Sequence, residues 1–216
     1  MRIVLFRHGE TRLNAEKKYQ GHDIQGLSPA GIESVRASIE RLAPSIVSDE
    51  VTVVSSDSPR ARETTEIILD HLRGLKKEKV PVRYSSNWRE LDFGEWTGLS
   101  YLEVTAEGGE DQLRRFYDDP WSVAPPGGEN LGQLAERVVK GLEELRDLDM
   151  AKEGAKINQT LIVVSHSGPI RAALMVLDGN QGDMESFWGT EIKPADYVER
   201  ALPPADEARG GKSDNG

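Results

Sequence analysis

A chain of 216 residues has room for one α/β unit with a substantial core and little space for two. The absence of cysteine excludes a disulfide scaffold, a thiol nucleophile and a zinc–thiolate centre. With 37 acidic against 27 basic residues the formal net charge is −10, which repels nucleic acid and anionic membrane surfaces, so any attraction for a small anion has to be local. No stretch approaches the roughly 18 apolar residues of a membrane span. The apolar run at the N-terminus meets Arg7 at once, unlike a signal peptide, and the expected compartment is the cytoplasm.

Ile3-Val4-Leu5-Phe6 predicts a short strand buried on both faces, ending in Arg7-His8-Gly9-Glu10-Thr11. Residues 12–26 are polar without a sustained period and predict a loop, with a turn at Gln20-Gly21-His22-Asp23 and Asn14 within reach of His8. Ser28-Pro29 starts a helix whose stripe is Ile32, Val35, Ile39 and Leu42, with Pro44 beyond its end. Val51–Val54 predicts a second buried strand, ending in Ser55-Ser56-Asp57. A helix over about residues 59–73 follows, with Ser58 as N-cap, Pro59 at its first position and Arg60 in its first turn. Residues 75–79 predict a charged turn, and residues 80–84 an edge strand because Pro81 lacks a ladder donor.

Residues 88–98 hold Trp88, Glu90, Asp92, Phe93, Glu95 and Trp96 and predict a loop over the strand ends. Residues 99–119 look helical with a break at Gly108-Gly109, and the stretch to Gly128 is a candidate capping insertion. Asn130 caps a long helix with Leu131, Leu134, Val138, Leu142 and Leu145 on one face. Leu161–Val164 repeats the opening grammar, ending in Ser165-His166-Ser167-Gly168 before a helix over about residues 169–178. Trp188 and Tyr197-Val198 suggest a last strand or two. The composition after Leu202 predicts a disordered tail over 203–216, leaving 1–202 as a single domain.

Parallel alignment of these strands would bring Arg7, His8, Arg60 and His166 into one crevice, because open α/β sheets bind ligands outside the carboxyl ends of their strands. Two arginine forks and two imidazoles suit a phosphoryl group. With no cysteine and no evident carboxylate cluster for magnesium, a histidine is the candidate nucleophile, since an imidazole with a pKa of about 6.5 is substantially neutral at pH 7. The second histidine could hydrogen-bond the phosphoryl oxygens; which histidine attacks stays open on residue types alone. An alkoxide leaving group needs a proton, and Glu90 is the candidate donor. Trp88, Phe93 and Trp96 read chiefly as packing under the loop. His22 is near the site in sequence, and His71 reads as a surface residue.

Arg7-His8-Gly9-Glu10-Thr11, Arg60-Ala61 with Glu63-Thr64, Arg89-Glu90-Leu91 through Gly98, Pro126-Gly127-Gly128-Glu129 and Ser165-His166-Ser167-Gly168, in that order, resemble the histidine phosphatase superfamily. This is the branch that contains phosphoglycerate mutases and their phosphatase relatives. The resemblance implies a three-layer α/β/α sandwich with a mostly parallel central sheet. It implies that His8 carries the phosphate, that Arg7, Arg60 and His166 surround it, and that Glu90 donates and accepts the proton. Asn14, Gln20 and Gly21 are implied to line the site, with no metal and no cofactor.

Glu90 is followed by Leu91-Asp92-Phe93-Gly94, which resembles the superfamily's phosphatases rather than its mutases, and the polar tail is poor material for a water-excluding lid. The expected function is a metal-independent phosphomonoesterase acting on a small phosphorylated molecule such as α-ribazole-5′-phosphate or a sugar phosphate. A mutase-type phosphotransferase and a non-catalytic phospho-ligand binder are the alternatives. Neither nucleic acid nor membrane is an expected partner, and a homodimer is compatible with the sequence.

Overall fold

The computed structural model describes residues 1–47, 49–75, 79–150 and 159–203. In chain order the elements are β1 (Arg2–Arg7), α1 (Arg12–Ala15), α2 (Pro29–Ile46), β2 (Glu50–Ser55), α3 (Pro59–Gly74), β3 (Val82–Tyr84), α4 (Tyr101–Ala106), α5 (Glu110–Asp118), α6 (Leu131–Met150), β4 (Gln159–Ser165), α7 (Ser167–Leu177), α8 (Met184–Gly189) and β5 (Tyr197–Ala201). The sheet order is β3-β2-β4-β1-β5. β1 and β2 both run parallel to β4, β3 runs parallel to β2, and β5 is antiparallel on the far edge.

Alternation along the strands splits the core into two layers. Ile3, Leu5, Leu161 and Val163 face α6, α7 and α8, whereas Val4, Phe6, Val51, Val53, Ile162 and Val164 face α2 and α3. This is the three-layer α/β/α arrangement with a mostly parallel sheet. Ile3 to Phe6 are fully buried, and each such side chain contributes about 1.5–3 kcal/mol by leaving water. The strand is thereby fixed in register, and so are the polar residues at its end. Arg7 pairs with Ser165 and Ser55 with Val164, so three strand ends rich in His, Arg and Ser finish side by side.

Several local expectations change. Residues 12–15 form the short helix α1, because Thr11 and Asn14 satisfy each other's backbone amides as a capping box that uses Asn in place of Glu or Gln. Pro44 lies inside α2 rather than beyond it; fully buried Ile46 continues the helix past the missing donor. Trp188 belongs to α8, not to a strand, so β5 is the single late strand among the described residues. Pro81 precedes β3, which is an edge strand as expected. The break at Gly108-Gly109 separates α4 from α5, and Asn130 caps α6 by accepting from the Gln133 amide at 2.8 Å. Most of the predicted charged turn and tail, residues 76–78 and 204–216, lies outside the described residues. Among the described residues no helix is long and apolar enough to cross a membrane.

Candidate active site

His8 follows β1 and His166 follows β4, and their rings meet edge to face with centroids 4.9 Å apart. Both are buried. Between them lies the Arg60 guanidinium, carried on the first turn of α3 with its side chain 1% exposed. Its Nε stands 3.3 Å from His8 Nε2 and 3.2 Å from His166 Nδ1, so one N–H is shared by two imidazoles. Nη1 pairs with Asp23 at 3.0 Å, and Nη2 donates to the Gly21 carbonyl at 2.8 Å. A buried guanidinium needs such a counter-charge, and Asp23, expected in the turn but not as a site residue, supplies it.

These contacts set the tautomers. His8 Nδ1 lies 2.7 Å from the Gly9 carbonyl, which can only accept, so Nδ1 carries the proton and Nε2 the lone pair. His166 Nδ1 accepts from Arg60, so its proton is on Nε2, which donates toward Ser56 Oγ at 3.0 Å and Ser58 Oγ at 3.2 Å. Ser58 stands at the N-cap of α3, but its hydroxyl makes no cap bond and serves His166 instead. Burial first, then the Arg60 charge, holds both imidazoles well below their ordinary range. Both are therefore neutral at pH 7.

Arg7 is half-buried; its Nη1 donates to the Ile192 carbonyl at 2.6 Å. Burial lowers its pKa, opposed by the Glu90 charge. Arg7 Nε and Gln20 Nε2 are buried donors without a hydrogen-bond partner among the described residues. Buried donors are normally satisfied, so these two are poised for an acceptor such as a phosphoryl oxygen. Gln20 Oε1 accepts from Thr11 Oγ1 at 3.0 Å, and the same hydroxyl is 3.1 Å from Asn14 Oδ1. Asn14 thus joins the cluster at one remove, through Thr11 and Gln20. Gly21 has φ +47°, and a Cβ there would lie 2.7 Å from Thr97 Oγ1, so glycine is what lets its carbonyl meet Arg60.

Glu90 enters from the loop after β3. Its Oε1 accepts from the amides of Leu91 at 2.9 Å and Gly168 at 3.1 Å, while Oε2 has a looser 3.5 Å approach from Gly168. A Cβ on residue 168 would sit 2.4 Å from Oε1, so the glycine after His166-Ser167 makes room for this carboxylate. Glu90 also lines a cavity of about 170 Å³ walled by Tyr19, Phe93, Phe116, Tyr117, Phe187 and Trp188, with the cation Arg171 also in its lining. Of the loop aromatics, Phe93 reaches this cavity, whereas Trp88 and Trp96 are core residues. His22 lies against the Glu90 loop, its Nε2 3.0 Å from the Glu90 carbonyl. Among the described residues no group of three or more His, Asp or Glu side chains is placed to hold a metal ion.

The sequence family described as Histidine phosphatase superfamily (branch 1) matches residues 3–201. The chain belongs to this superfamily. A glucosyl-3-phosphoglycerate phosphatase of Mycolicibacterium vanbaalenii is 32% identical over 82% of this chain and 74% of its own length. A bifunctional protein of Mycobacterium tuberculosis is 33% identical over 84% of the chain, which spans only 45% of that relative. Bisphosphoglycerate-dependent phosphoglycerate mutases stand among the relatives too, at 30% identity for the one from Parvibaculum lavamentivorans. Among solved structures, mycobacterial glucosyl-3-phosphoglycerate phosphatase complexed with VO3 superimposes with a TM-score of 0.74 and 26% identity, covering 92% of this chain and 90% of that one. The named relatives thus include both phosphatases and mutases.

Proposed function

We propose that the protein is a phosphomonoesterase that hydrolyses a small phosphate ester through a phosphohistidine at His8. The observation that carries this reading is the single buried Arg60 N–H shared by His8 Nε2 and His166 Nδ1, with His8 Nδ1–H tied to the Gly9 carbonyl. That arrangement presents a neutral imidazole with its lone pair directed into a cationic pocket. Arg60 and Arg7 would neutralise the phosphoryl oxygens, with Gln20 Nε2 and Arg7 Nε as free donors. His166, held by Ser56 and Ser58, would complete the wall.

In the first step His8 Nε2 bonds to phosphorus and the P–O bond to the alcohol breaks. The departing oxygen takes a proton from Glu90, carried on Oε2, the oxygen less engaged by amides. In the second step water attacks phosphorus, Glu90 takes its proton, and the P–N electron pair returns to Nε2. The alcohol would occupy the aromatic cavity that Glu90 lines. That cavity favours a compact group with an apolar or flat face. Hydrolysis rather than transfer is supported by relatives named as phosphatases and by Leu91-Asp92-Phe93 after Glu90. Substrates carrying a sugar or ribazole group fall within the same proposal, as do a cytoplasmic setting and independence of metal ions.

The test is product analysis across sugar phosphates, α-ribazole-5′-phosphate, phosphoglycerates and aryl phosphates, with and without EDTA. The reading expects inorganic phosphate and free alcohol in equal amounts, unaffected by EDTA. Isomerised phosphoglycerate with no phosphate release, dependent on a bisphosphate primer, would establish the mutase instead. Tight phosphate-ester binding with no turnover of any ester would leave the binding module.

A further inference from the structure

Glu90 sits in a stretch without regular backbone pairing: residues 90–93 lie between two short 3₁₀ turns, Ser86–Trp88 and Gly94–Trp96. A proton donor in such a segment needs an external anchor, since a misplacement of about 1 Å can cost on the order of a hundredfold in rate. The anchor is on α6. Arg137, 16% exposed, directs its fork at the underside of this loop. Nη1 donates to the carbonyls of Asn87 at 3.1 Å and Arg89 at 2.6 Å. Nη2 donates to the Glu90 carbonyl at 2.8 Å and to Glu129 Oε1, while Nε donates to Glu129 Oε2 at 3.1 Å. All five N–H groups of the guanidinium are used.

Glu129 completes the grip. Its Oε1 accepts from the Asp92 amide at 3.0 Å, and its own amide donates to the Asp92 carbonyl at 2.9 Å. The pair therefore holds the backbone on both sides of Glu90, and it neutralises its own charge in doing so. His22 Nε2 meets the same Glu90 carbonyl from the other strand-end loop. Glu129 is the last residue of the Pro126-Gly127-Gly128-Glu129 stretch, and Arg137 lies two turns later on the helix that Asn130 caps.

We propose that Arg137, with Glu129, is a positioning pair that sets the reach of the Glu90 carboxyl to the leaving oxygen. Neither residue touches the reacting atoms, and both act through the Glu90 backbone. The inference rests on the general-acid reading of Glu90. A lysine at 137 keeps the charge but has three donors on a point ammonium, so it cannot span the carbonyls and the carboxylate together.

The test compares kcat/KM for an alkyl phosphate, whose alkoxide needs a proton, and for p-nitrophenyl phosphate, whose phenolate does not. Arg137→Lys should lose about 10- to 100-fold with the alkyl ester and at most about threefold with the nitrophenyl ester. Glu129→Gln, a near-isosteric change that spares the fold if Arg137→Lys does not, should show the same pattern with a smaller loss. In a Glu90→Gln background the alkyl-specific loss should vanish, because there is no donor left to position. Equal losses for both esters, or an alkyl-specific loss that persists in Glu90→Gln, would overturn the proposal and leave Arg137 as a structural residue. If Glu90→Gln itself treats both esters alike, the general-acid reading falls and takes the positioning role with it. If Glu90→Gln discriminates and neither Arg137→Lys nor Glu129→Gln does, the positioning role alone falls.

Discussion

Around His8 the polar groups are buried, mutually bonded and delivered by the ends of three strands, whereas the cavity beside Glu90 is walled by aromatic rings from four separate segments. In the first region one guanidinium, Arg60, ties together two histidines, Asp23 and Gly21. In the second, Tyr19, Phe93, Phe116 with Tyr117, and Phe187 with Trp188 lean on one another at centroid separations of 4.9–6.3 Å, and Tyr117 and Trp188 are partly exposed. The first region admits little change without breaking this hydrogen-bonded cluster. The second can be reshaped ring by ring, which under the proposed function would let one chemical centre serve different alcohols.

The sharpest way to break this contrast is Arg60→Ala. It removes the shared donor and takes the guanidinium from half-buried Asp23, which keeps only the Gln25 amide, and this predicts a loss of up to about 3 kcal/mol in urea denaturation. A fall in kcat/KM of at least about 10³ should accompany it, the scale set by removal of a buried charge clamp from a phosphoryl site. A fully folded and active Arg60→Ala protein would remove the distinction between the two regions.

Acid titration probes the same region more gently. Burial, then Arg60, holds both histidines below their ordinary range. Between about pH 6.5 and those lower native values the unfolded chain binds protons that the native protein does not. Stability is therefore complete above pH 6.5 and declines as pH falls through that window, by at most about 1.4 kcal/mol per pH unit for each histidine. Urea midpoints from pH 7.5 to 5 should fall more steeply for the native protein than for His8→Asn/His166→Asn. The acid limb of kcat/KM should lie below pH 6.5; a limb at or above that value would mean that His8 is not held neutral.

The smallest effect is expected in the aromatic region. Trp188→Ala removes a ring 43% exposed at the cavity wall. The loss should be about tenfold or less in kcat/KM for aryl and other apolar esters, carried by KM, with kcat within about twofold. A collapse of kcat for every ester would mean that this wall belongs to the chemical machinery after all.

The region around His8 is largely legible in the sequence because its residues follow runs that read as buried strands. Ile3–Phe6, Val51–Val54 and Leu161–Val164 locate themselves, and Arg7, His8, Arg60 and His166 come with them. What was not legible were destinations decided by neighbours distant in the chain. Ser58 looks like a helix cap, yet its hydroxyl turns to His166, 108 residues away. Asp23 is one acid among 37 until Arg60 arrives beside it. Pro44 marked a helix end on local grounds, but the burial of Ile46 outweighs the missing donor. The aromatic cavity draws on residues dispersed from 19 to 188 with no period to join them, and Trp188, which with Tyr197-Val198 suggests a last strand or two, lies in a helix.

On the proposed mechanism, phosphate passes through His8 Nε2. Rapid acid-free quenching during turnover of a labelled ester, followed by peptide mapping, tests it most directly. Acid-labile, base-stable phosphate should appear on the peptide containing His8, approaching about one per chain in Glu90→Gln, where breakdown lacks its base, and should be absent from His8→Ala. Full labelling of His8→Ala, or label residing on His166, would contradict it.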